Sequence, residues 1–201
     1  REALEELADQ CGVTLEKKSF RAGPETGLLD LLRDAQKWFV DRFRSREGDA
    51  ARNYLAGRKL LEEADSLGVG YSPPGLAGHL RSLGYSDSTA EQAGLLLPGS
   101  EGRRERFRNR ITFPIRDRRG RVVSFGGRAL DDRGPKYING PDSDVFHKGG
   151  VLYGYSDAVP AARETGQVIL VEGYFDHARV AAGGFPAVVA TCSAKMSSTL
   201  S

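Results

Sequence analysis

The sequence has 201 residues, a net charge of +2, and a composition that is 39% hydrophobic and 28% charged. These proportions are typical of a globular protein and exclude a disordered or fibrous one. No apolar stretch approaches the ~20 residues that a membrane-spanning helix needs, so we expect no membrane partner. The two cysteines, Cys11 and Cys192, exclude a disulfide framework and a cysteine-rich zinc site, and they favour a reducing cytoplasm.

The first hundred residues predict mainly helices. Apolar residues at intervals of three and four predict a strong amphipathic helix over 27–44. Further helices are predicted over 2–10, 49–55, 60–67, 76–83 and 87–95. A polar stretch over 19–26 predicts a linker, and the Gly- and Pro-rich segment 68–75 interrupts the helical pattern. The acidic N-terminus does not resemble a signal peptide and lacks an initiator Met, so we expect the chain to begin inside a longer protein.

From residue 110 the pattern changes to strands. Residues 111–115 and 121–125 are rich in β-formers, and Asp117-Arg118-Arg119-Gly120 between them supplies the turn of a hairpin. Residues 135–150 predict an ordered loop, followed by a short strand over 151–154 and a helix over 157–165. A buried strand over 168–171, a helix over 176–182 and a second buried strand over 185–190 then complete a βαβ unit. The order of elements predicts an α/β fold.

The strand over 168–171 ends at a candidate metal site. Glu172 follows it directly, at the carboxyl end where open α/β sheets place their ligands. Asp176 comes four residues later, and the first turn of a following helix would bring the two carboxylates to one point. Two hard oxygen ligands suit Mg²⁺ or Mn²⁺. Taken alone, the same pattern fits a surface acid at a helix N-terminus equally well.

The segment 101–150 is strongly basic. It carries thirteen Arg and Lys against seven Asp and Glu, a local net charge of +6. Arg106, Arg108 and Arg110 alternate, so on a strand they would share one face and could contact a polyanion. A solvated hairpin surface is the alternative.

Aromatic and amide side chains accompany these cations. Lys136, Tyr137 and Asn139 could hold a phosphate, stack a base and hydrogen-bond a sugar or base edge. Lys148 adds a cation at a glycine bend, and Gly126-Gly127 before Arg128 allows close approach of a backbone. A structural role is favoured for His147.

Several motifs in one order resemble the polymerase domain of bacterial DnaG-type primases. They are Arg106–Asp117, Gly120-Arg121, Phe125–Arg128, Pro135–Pro141, Phe146–Gly149, Leu152–Gly154 and Val171–Asp176, with Ala51–Arg58 and Leu67–Pro73 in the helical part. The resemblance covers nearly the whole chain, from about residue 3 to 191. It implies a mixed α+β N-terminal subdomain over 26–150 and an incomplete, parallel Toprim-type α/β subdomain over 151–201. Residues 1–25 would be the tail that follows a zinc-binding module, and that Zn²⁺ module is absent from this chain.

The resemblance also implies a function and roles for individual residues. The family synthesises short RNA primers on single-stranded DNA from ribonucleoside triphosphates with divalent metal ions. It works in the bacterial cytoplasm at the nucleoid and replisome, and it meets the replicative helicase through regions absent here. Glu172 would be the catalytic Toprim glutamate beside Mg²⁺ or Mn²⁺, with Asp176 as a second acid. Members of a basic ridge for template and nucleotide would be Arg58, Arg128, Lys136, Tyr137, Asn139 and Lys148.

Two departures from the family limit what this chain is expected to do. Cys192-Ser193-Ala194-Lys195 stands where the family usually has a Gly-Thr turn. The chain also stops at Ser201, before the strand that carries the family's Asp-x-Asp metal ligands, and its tail 196–201 is compatible with a truncated or frameshifted reading frame. We therefore expect weak, salt-dependent binding of single-stranded DNA and little or no primer synthesis by these residues alone.

Two other functions remain as alternatives. One is a non-catalytic module, derived from a primase, that binds single-stranded nucleic acid through the basic ridge. The other is a Toprim nuclease or topoisomerase, which would share the strand ending at Glu172. That alternative is disfavoured, because such proteins are not expected to have the Lys136–Asn139 or Arg106–Asp117 motifs.

Overall fold

The computed structural model of the protein describes residues 24–98, 104–132 and 134–192. Its helices are α1 (Pro24–Arg44), α2 (Asp49–Gly57), α3 (Leu76–Ser82), α4 (Asp87–Gln92), α5 (Tyr155–Thr165) and α6 (Tyr174–Ala182). Its strands are β1 (Gly70–Ser72), β2 (Arg110–Arg116), β3 (Val122–Ala129), β4 (Tyr137–Asn139), β5 (Leu152–Tyr153), β6 (Ile169–Val171) and β7 (Val188–Thr191). Short 3-10 helices lie at Arg46–Gly48 and Lys148–Gly150. The predicted α/β class is confirmed.

The predicted helix over 2–10, residues 19–23 of the linker predicted over 19–26, and the tail 196–201 lie outside the described residues. The rest of the linker prediction is wrong, because residues 24–26 belong to α1. None of the helices in the described part of the chain has both the length and the apolarity needed to cross a membrane.

Helix α1 forms as predicted, because its apolar residues recur on one stripe. Leu28, Leu31, Ala35 and Phe39 on that stripe are buried. The Phe39 ring meets Phe125 of β3 edge to face, with ring centroids 5.0 Å apart. Burying each large side chain of this kind contributes about 1.5–3 kcal/mol, so the stripe fixes α1 on the first sheet.

The first sheet has the order β1-β2-β3-β4, and all of its neighbouring strands are antiparallel. The predicted hairpin joins β2 to β3. The Asp117 carboxylate accepts hydrogen bonds from the backbone N–H groups of Arg119 and Arg121, each at 2.9 Å. Gly120 takes the left-handed conformation that closes the turn, with φ of +77°.

Three predictions about the N-terminal region are wrong. Residues 60–67 form a series of turns instead of a helix, because Lys59 adopts a positive φ of +56° and ends the helical course of α2. Residues 70–72, assigned to a break, form β1, and residues 137–139, assigned to a loop, form β4. Both strands are only three residues long, and their hydrogen bonds come from β2 and β3. The alternation of apolar and polar residues cannot be recognised in strands this short.

The prediction that Arg106, Arg108 and Arg110 share one face of a strand is also wrong. Residues 106–109 form a turn in which Asn109 has a φ of +56°, so only Arg110 of the three lies in β2. Alternation along the sequence therefore does not place Arg106 and Arg108 on the same face as Arg110.

The second sheet has the order β5-β7-β6. Strand β6 runs parallel to β7, and α6 connects them, so the predicted βαβ unit is confirmed. Strand β7 is central and buried, but the prediction of a buried strand over 168–171 is wrong. Val168 and Leu170 are 57% and 43% exposed, because β6 is the edge strand among the described residues. The strand predicted over 185–190 begins only at Val188, and Phe185 before it is 59% exposed.

A single hydrophobic cluster joins the two sheets. Phe113 of β2 packs against both Tyr174 and Phe175 at the start of α6, and Tyr153 of β5 and Ala190 of β7 belong to the same cluster. The subdomain boundary near residue 150 stays a prediction. The packing shows that shared apolar contacts hold the two sheets on either side of this boundary against each other.

Two glycines that flank α5 allow a matched test of this packing. Gly154 and Gly166 both adopt positive φ angles, +77° and +68°. A Cβ on Gly154 would lie 2.1 Å from Nε2 of the buried His177, whereas a Cβ on Gly166 would meet open space. Gly166→Ala should therefore cost only the backbone penalty of about 1–2 kcal/mol. Gly154→Ala should cost a further 1–3 kcal/mol or so, because the methyl group displaces His177.

Urea denaturation of the two alanine variants and the wild type measures these costs as changes in the free energy of unfolding. Equal losses in the two variants would show that His177 does not pack against Gly154 as described.

Candidate active site

A cavity of about 410 Å³ lies where the two sheets meet. Strand β4, the end of α2, the start of α6 and the tips of β6 and β7 contribute to it. It is lined by Arg58, Tyr137, Ile138, Asn139, Glu172, Gly173, Tyr174, Phe175, Asp176, Thr191 and Cys192. Five of these were predicted as site residues from the sequence: Arg58, Tyr137, Asn139, Glu172 and Asp176. The fold brings them together from three separate stretches of the chain.

The two predicted acids share this cavity. Glu172 follows β6, Asp176 lies in the first turn of α6, and both side chains are exposed. Oδ2 of Asp176 lies over Gly173, only 3.4 Å from where a Cβ on that glycine would stand. The Thr191 hydroxyl donates a hydrogen bond of 3.3 Å to the Glu172 carbonyl oxygen, which links the tips of β6 and β7. Both carboxylates therefore open into one space.

The alternative of a helix-capping acid is compatible with the same geometry. Asp176 in the first turn of α6 interacts favourably with the positive end of the helix dipole. Among the described residues, no group of three or more His, Cys, Asp or Glu side chains is placed to hold a metal ion. The predicted metal site thus has two candidate ligands in this part of the chain.

Arg58, Tyr137 and Phe175 of the cavity lining belong to a cluster of cations and aromatic rings that also includes Tyr54 and Arg128, which lie outside the lining. We call Tyr54, Arg58, Arg128, Tyr137 and Phe175 the aromatic–arginine cluster. The Arg58 guanidinium lies 4.9 Å from the ring centres of both Tyr54 and Phe175. The Arg128 guanidinium lies 5.1 Å from that of Tyr54 and 5.3 Å from that of Tyr137. Cation–π contacts of this kind contribute about 0.5–2 kcal/mol each, and they hold the two planar cations in fixed orientations.

Sequence reasoning missed the rings that organise these cations. Tyr54 lies four residues before Arg58 on α2, a spacing that places both side chains on one helix face. Phe175 lies within the same motif as Glu172 and Asp176. Both motifs carried the family resemblance, but the sequence alone gave no reason to assign a role to either ring.

Asn139 lines the cavity, and its side chain is hydrogen-bonded within the protein. Its Oδ1 accepts a hydrogen bond of 2.6 Å from the Tyr174 hydroxyl, and its Nδ2 donates to the Cys192 carbonyl oxygen. The glycine pair expected to allow backbone approach at Arg128 instead makes room for rings. A Cβ on Gly126 would lie 2.3 Å from the Tyr174 ring, and one on Gly127 would lie 2.7 Å from the Phe107 ring.

The remaining predicted cations lie outside the cavity lining. The half-buried Arg106 side chain donates to the Gly94 carbonyl oxygen at 2.9 Å, and that of Arg110 donates to the Pro135 carbonyl oxygen at 2.8 Å. Burial lowers the pKa of both guanidinium groups from the usual value. Arg108 and Lys136 are exposed. The backbone N–H of Lys148 donates to the Asp142 carboxylate at 2.9 Å.

Comparison with known proteins decides the family. Residues 38–159 match the family described as the N-terminal domain of the DNA primase catalytic core, and this stretch is more than half of the chain. The chain belongs to the bacterial DnaG-type primases. The expectation from the sequence motifs is therefore confirmed, and the fold is that of the primase RNA polymerase domain.

Full-length relatives and solved domains agree with this assignment. The DNA primase of Pseudomonas aeruginosa is 39% identical over 204 residues, which cover 94% of this chain and 31% of that protein. The RNA polymerase domain of Mycobacterium tuberculosis primase, in complex with a double-stranded DNA oligomer with a 6-nucleotide overhang, has a TM-score of 0.80 and 31% identity. That match covers 85% of this chain and 56% of that domain. A DnaG primase catalytic domain bound to single-stranded DNA has a TM-score of 0.76 and 33% identity. That match covers 88% of this chain and 57% of that domain.

The burial of Cys192 at this site can be tested through its thiol. Burial raises the pKa of Cys192 to about 11. Only the thiolate reacts with iodoacetamide, so in a Cys11→Ser background the folded primase chain should be labelled very slowly at pH 8. The rate should rise about tenfold per pH unit towards pH 10, whereas in urea it should level off near the ordinary thiol pKa of about 8.5. A plateau below pH 9 in the folded protein would contradict the buried placement.

Proposed function

We propose that this chain forms part of the polymerase site of a primase, where a single-stranded DNA template and a metal-bound nucleotide meet during RNA primer synthesis. One observation carries the proposal: the carboxylates of Glu172 and Asp176 open into the same cavity as Arg58 and Tyr137. Opposite charges and a stacking surface therefore face one volume of about 410 Å³.

The relatives support the nucleic-acid part of this proposal. Solved primase domains similar to this chain carry single-stranded DNA in one case and a DNA oligomer with an overhang in another. The chain spans 31% of the length of the Pseudomonas relative, so the activity of the whole enzyme is itself part of the proposal. Ribonucleoside triphosphates, the RNA primer and the replicative helicase are its proposed partners, in the bacterial cytoplasm at the replisome.

The aromatic–arginine cluster is suited to hold a single strand. The Arg58 guanidinium can bind a phosphate in a bidentate manner, and its stacking on two rings fixes the direction of those bonds. Arg128 already donates from Nη1 to the Ala129 carbonyl oxygen, so we assign its Nη2 to a second phosphate. The Tyr137 ring is 44% exposed and can stack a base. Lys136, directly before it, and Lys148 would add positive charge along the backbone. Arg106 and Arg110 also bond to carbonyl oxygens and lie outside the aromatic–arginine cluster, so we assign them a smaller share.

The acidic side of the cavity fits a magnesium or manganese ion. Mg²⁺ uses one or two protein carboxylates together with water and substrate phosphates, and Glu172 and Asp176 supply that number. Gly173 lies between them in the sequence, and because it has no side chain it leaves room for the Asp176 carboxylate. When bound there, the ion would lower the pKa of the primer 3′-hydroxyl and neutralise charge on the nucleotide phosphates.

The contribution of the chain's own residues would be positioning. In the primase reaction, the primer 3′-hydroxyl attacks the α-phosphate of the incoming nucleotide and pyrophosphate leaves. Arg58 in the cavity lining and Arg128 over the Tyr137 ring would hold phosphates, and Glu172 would orient the reacting groups. Fixed geometry and preorganised charge account for most of the rate in such transfers.

One observation favours the non-catalytic alternative for these residues taken alone. Within the described part of the chain, the acids that line the cavity are Glu172 and Asp176, and no group of three or more candidate metal ligands is found there. We therefore expect the isolated chain to bind single-stranded DNA without sustained primer synthesis.

Removal of the two stacked cations tests the nucleic-acid part. The double variant Arg58→Gln, Arg128→Gln should bind a labelled oligothymidylate at least about tenfold more weakly in fluorescence anisotropy at low salt. The slope of log affinity against log salt should fall by about 0.7 for each lost phosphate contact.

The matched control is the double variant Lys37→Gln, Arg163→Gln, which removes two exposed cations that do not line the cavity. Equal losses of affinity in the two double variants would show that only net charge matters and would refute a specific site.

Titration with Mn²⁺ tests the acidic part. Glu172→Gln and Asp176→Asn should each weaken Mn²⁺ binding roughly tenfold in electron paramagnetic resonance, because each removes one charged ligand. Glu164→Gln, at an exposed position near the end of α5, serves as the control for net charge. An unchanged affinity in both cavity variants would rule out these carboxylates as ligands.

A further inference from the structure

The side chain of Asn139 connects three elements. It belongs to β4 of the first sheet, yet both ends of its amide reach the second sheet. Oδ1 accepts from the Tyr174 hydroxyl at 2.6 Å, and Nδ2 donates to the backbone carbonyl of Cys192. Among side chains of this length, only the amide of Asn can accept at one end and donate at the other.

The amide is itself held by a rigid strand. Asn139 pairs with Gly126 of β3 in the antiparallel ladder, and Gly140 after it donates to the Phe125 carbonyl oxygen at 2.9 Å. Phe125 is completely buried against α1. The position of Asn139 is therefore set by the core of the first sheet.

Its two partners lie at the tips of the strands that flank the acidic side of the cavity. Tyr174 is the first residue of α6, two positions after Glu172, and Cys192 directly follows β7. The Tyr174 ring stacks on Phe113 with a centroid separation of 5.0 Å and an interplanar angle of 6°. Burial raises the pKa of its hydroxyl well above the usual value, so this group stays a neutral donor.

We propose that Asn139 is a positioning residue: its amide ties the tips of β6 and β7 to the first sheet and thereby fixes Glu172 opposite Arg58. This role differs from direct contact with nucleic acid, and it rests on the proposed function only where it assigns a metal to Glu172. Loss of either hydrogen bond would let the Glu172–Asp176 segment, which includes Phe175, move relative to the first sheet.

Three variants of the full chain test the tie. Asn139→Ala removes both bonds, and Tyr174→Phe removes one bond but keeps the stacked ring. Asn139→Asp keeps the shape and the acceptor but places a carboxylate oxygen against the Cys192 carbonyl. Amide hydrogen exchange of residues 172–176 should become about tenfold faster in all three, with β2 and β3 unchanged. Mn²⁺ affinity should fall roughly tenfold, as for other residues that support a metal ligand.

The measurements distinguish the possible outcomes. Asn53→Ala, at an exposed position on α2, is the control and should behave like the wild type. Binding of an oligothymidylate in EDTA is the second readout, and it should weaken in Tyr174→Phe as well, because Phe175 in the loosened segment contacts Arg58. Wild-type exchange rates at 172–176 in Asn139→Ala and Asn139→Asp would overturn the proposal. Loss of oligothymidylate binding in the Asn139 variants alone, with wild-type exchange, would instead show direct contact with nucleic acid.

The exchange measurement needs no metal or DNA, so it decides the role of Asn139 independently of the proposed function. A wild-type chain that binds neither Mn²⁺ nor oligothymidylate would refute the proposed function, and the exchange rates would still show whether Asn139 holds the segment.

Discussion

The position of the two candidate acids, Glu172 and Asp176, depends on the burial of Tyr174 between the two sheets. Its ring lies parallel to Phe113 on one side, fills the space left by Gly126, and meets Tyr153 edge to face at 4.8 Å. Tyr174 follows Glu172 by two residues, so the ring that fills the core also determines where the carboxylate stands. An aromatic residue of this size contributes both a large buried area and a preferred geometry. The apolar core and the polar site are therefore coupled through one side chain.

Opposite charges reach the cavity from different parts of the fold. The carboxylates come from the tip of β6 and the first turn of α6, while the Arg58 guanidinium comes from the residue that follows α2. The rings of Tyr54 and Phe175 pack against Arg58, so aromatic contacts orient this cation. Coulomb attraction at short range and low dielectric is strong, so an acid in a salt bridge would compete with phosphate for a cation. An aromatic ring orients the cation without that competition.

The success of sequence-based prediction varied with the range of the interactions that decide each element. Helix α1 and the β2–β3 hairpin were predicted because an amphipathic stripe and a turn motif are local signals. Strands β1 and β4 were missed, since each has three residues and depends on hydrogen bonds from a partner strand. The expected burial of Ile169 failed for the same reason: an apolar run predicts a strand but does not reveal whether that strand lies at the edge of its sheet.

The sequence by itself determined the family, the α/β class and most of the candidate site, because motifs such as Val171–Asp176 and Pro135–Pro141 are contiguous and chemically distinctive. Only the tertiary structure decided which residues act together. It showed that Asn139 bonds to Tyr174 and Cys192, that Arg106 and Arg110 bond to carbonyl oxygens, and that Tyr54 and Phe175 pack against Arg58. The physical reason is that stacking and hydrogen bonding join residues far apart in the chain, and the spacing of those residues in the sequence does not reveal the contacts.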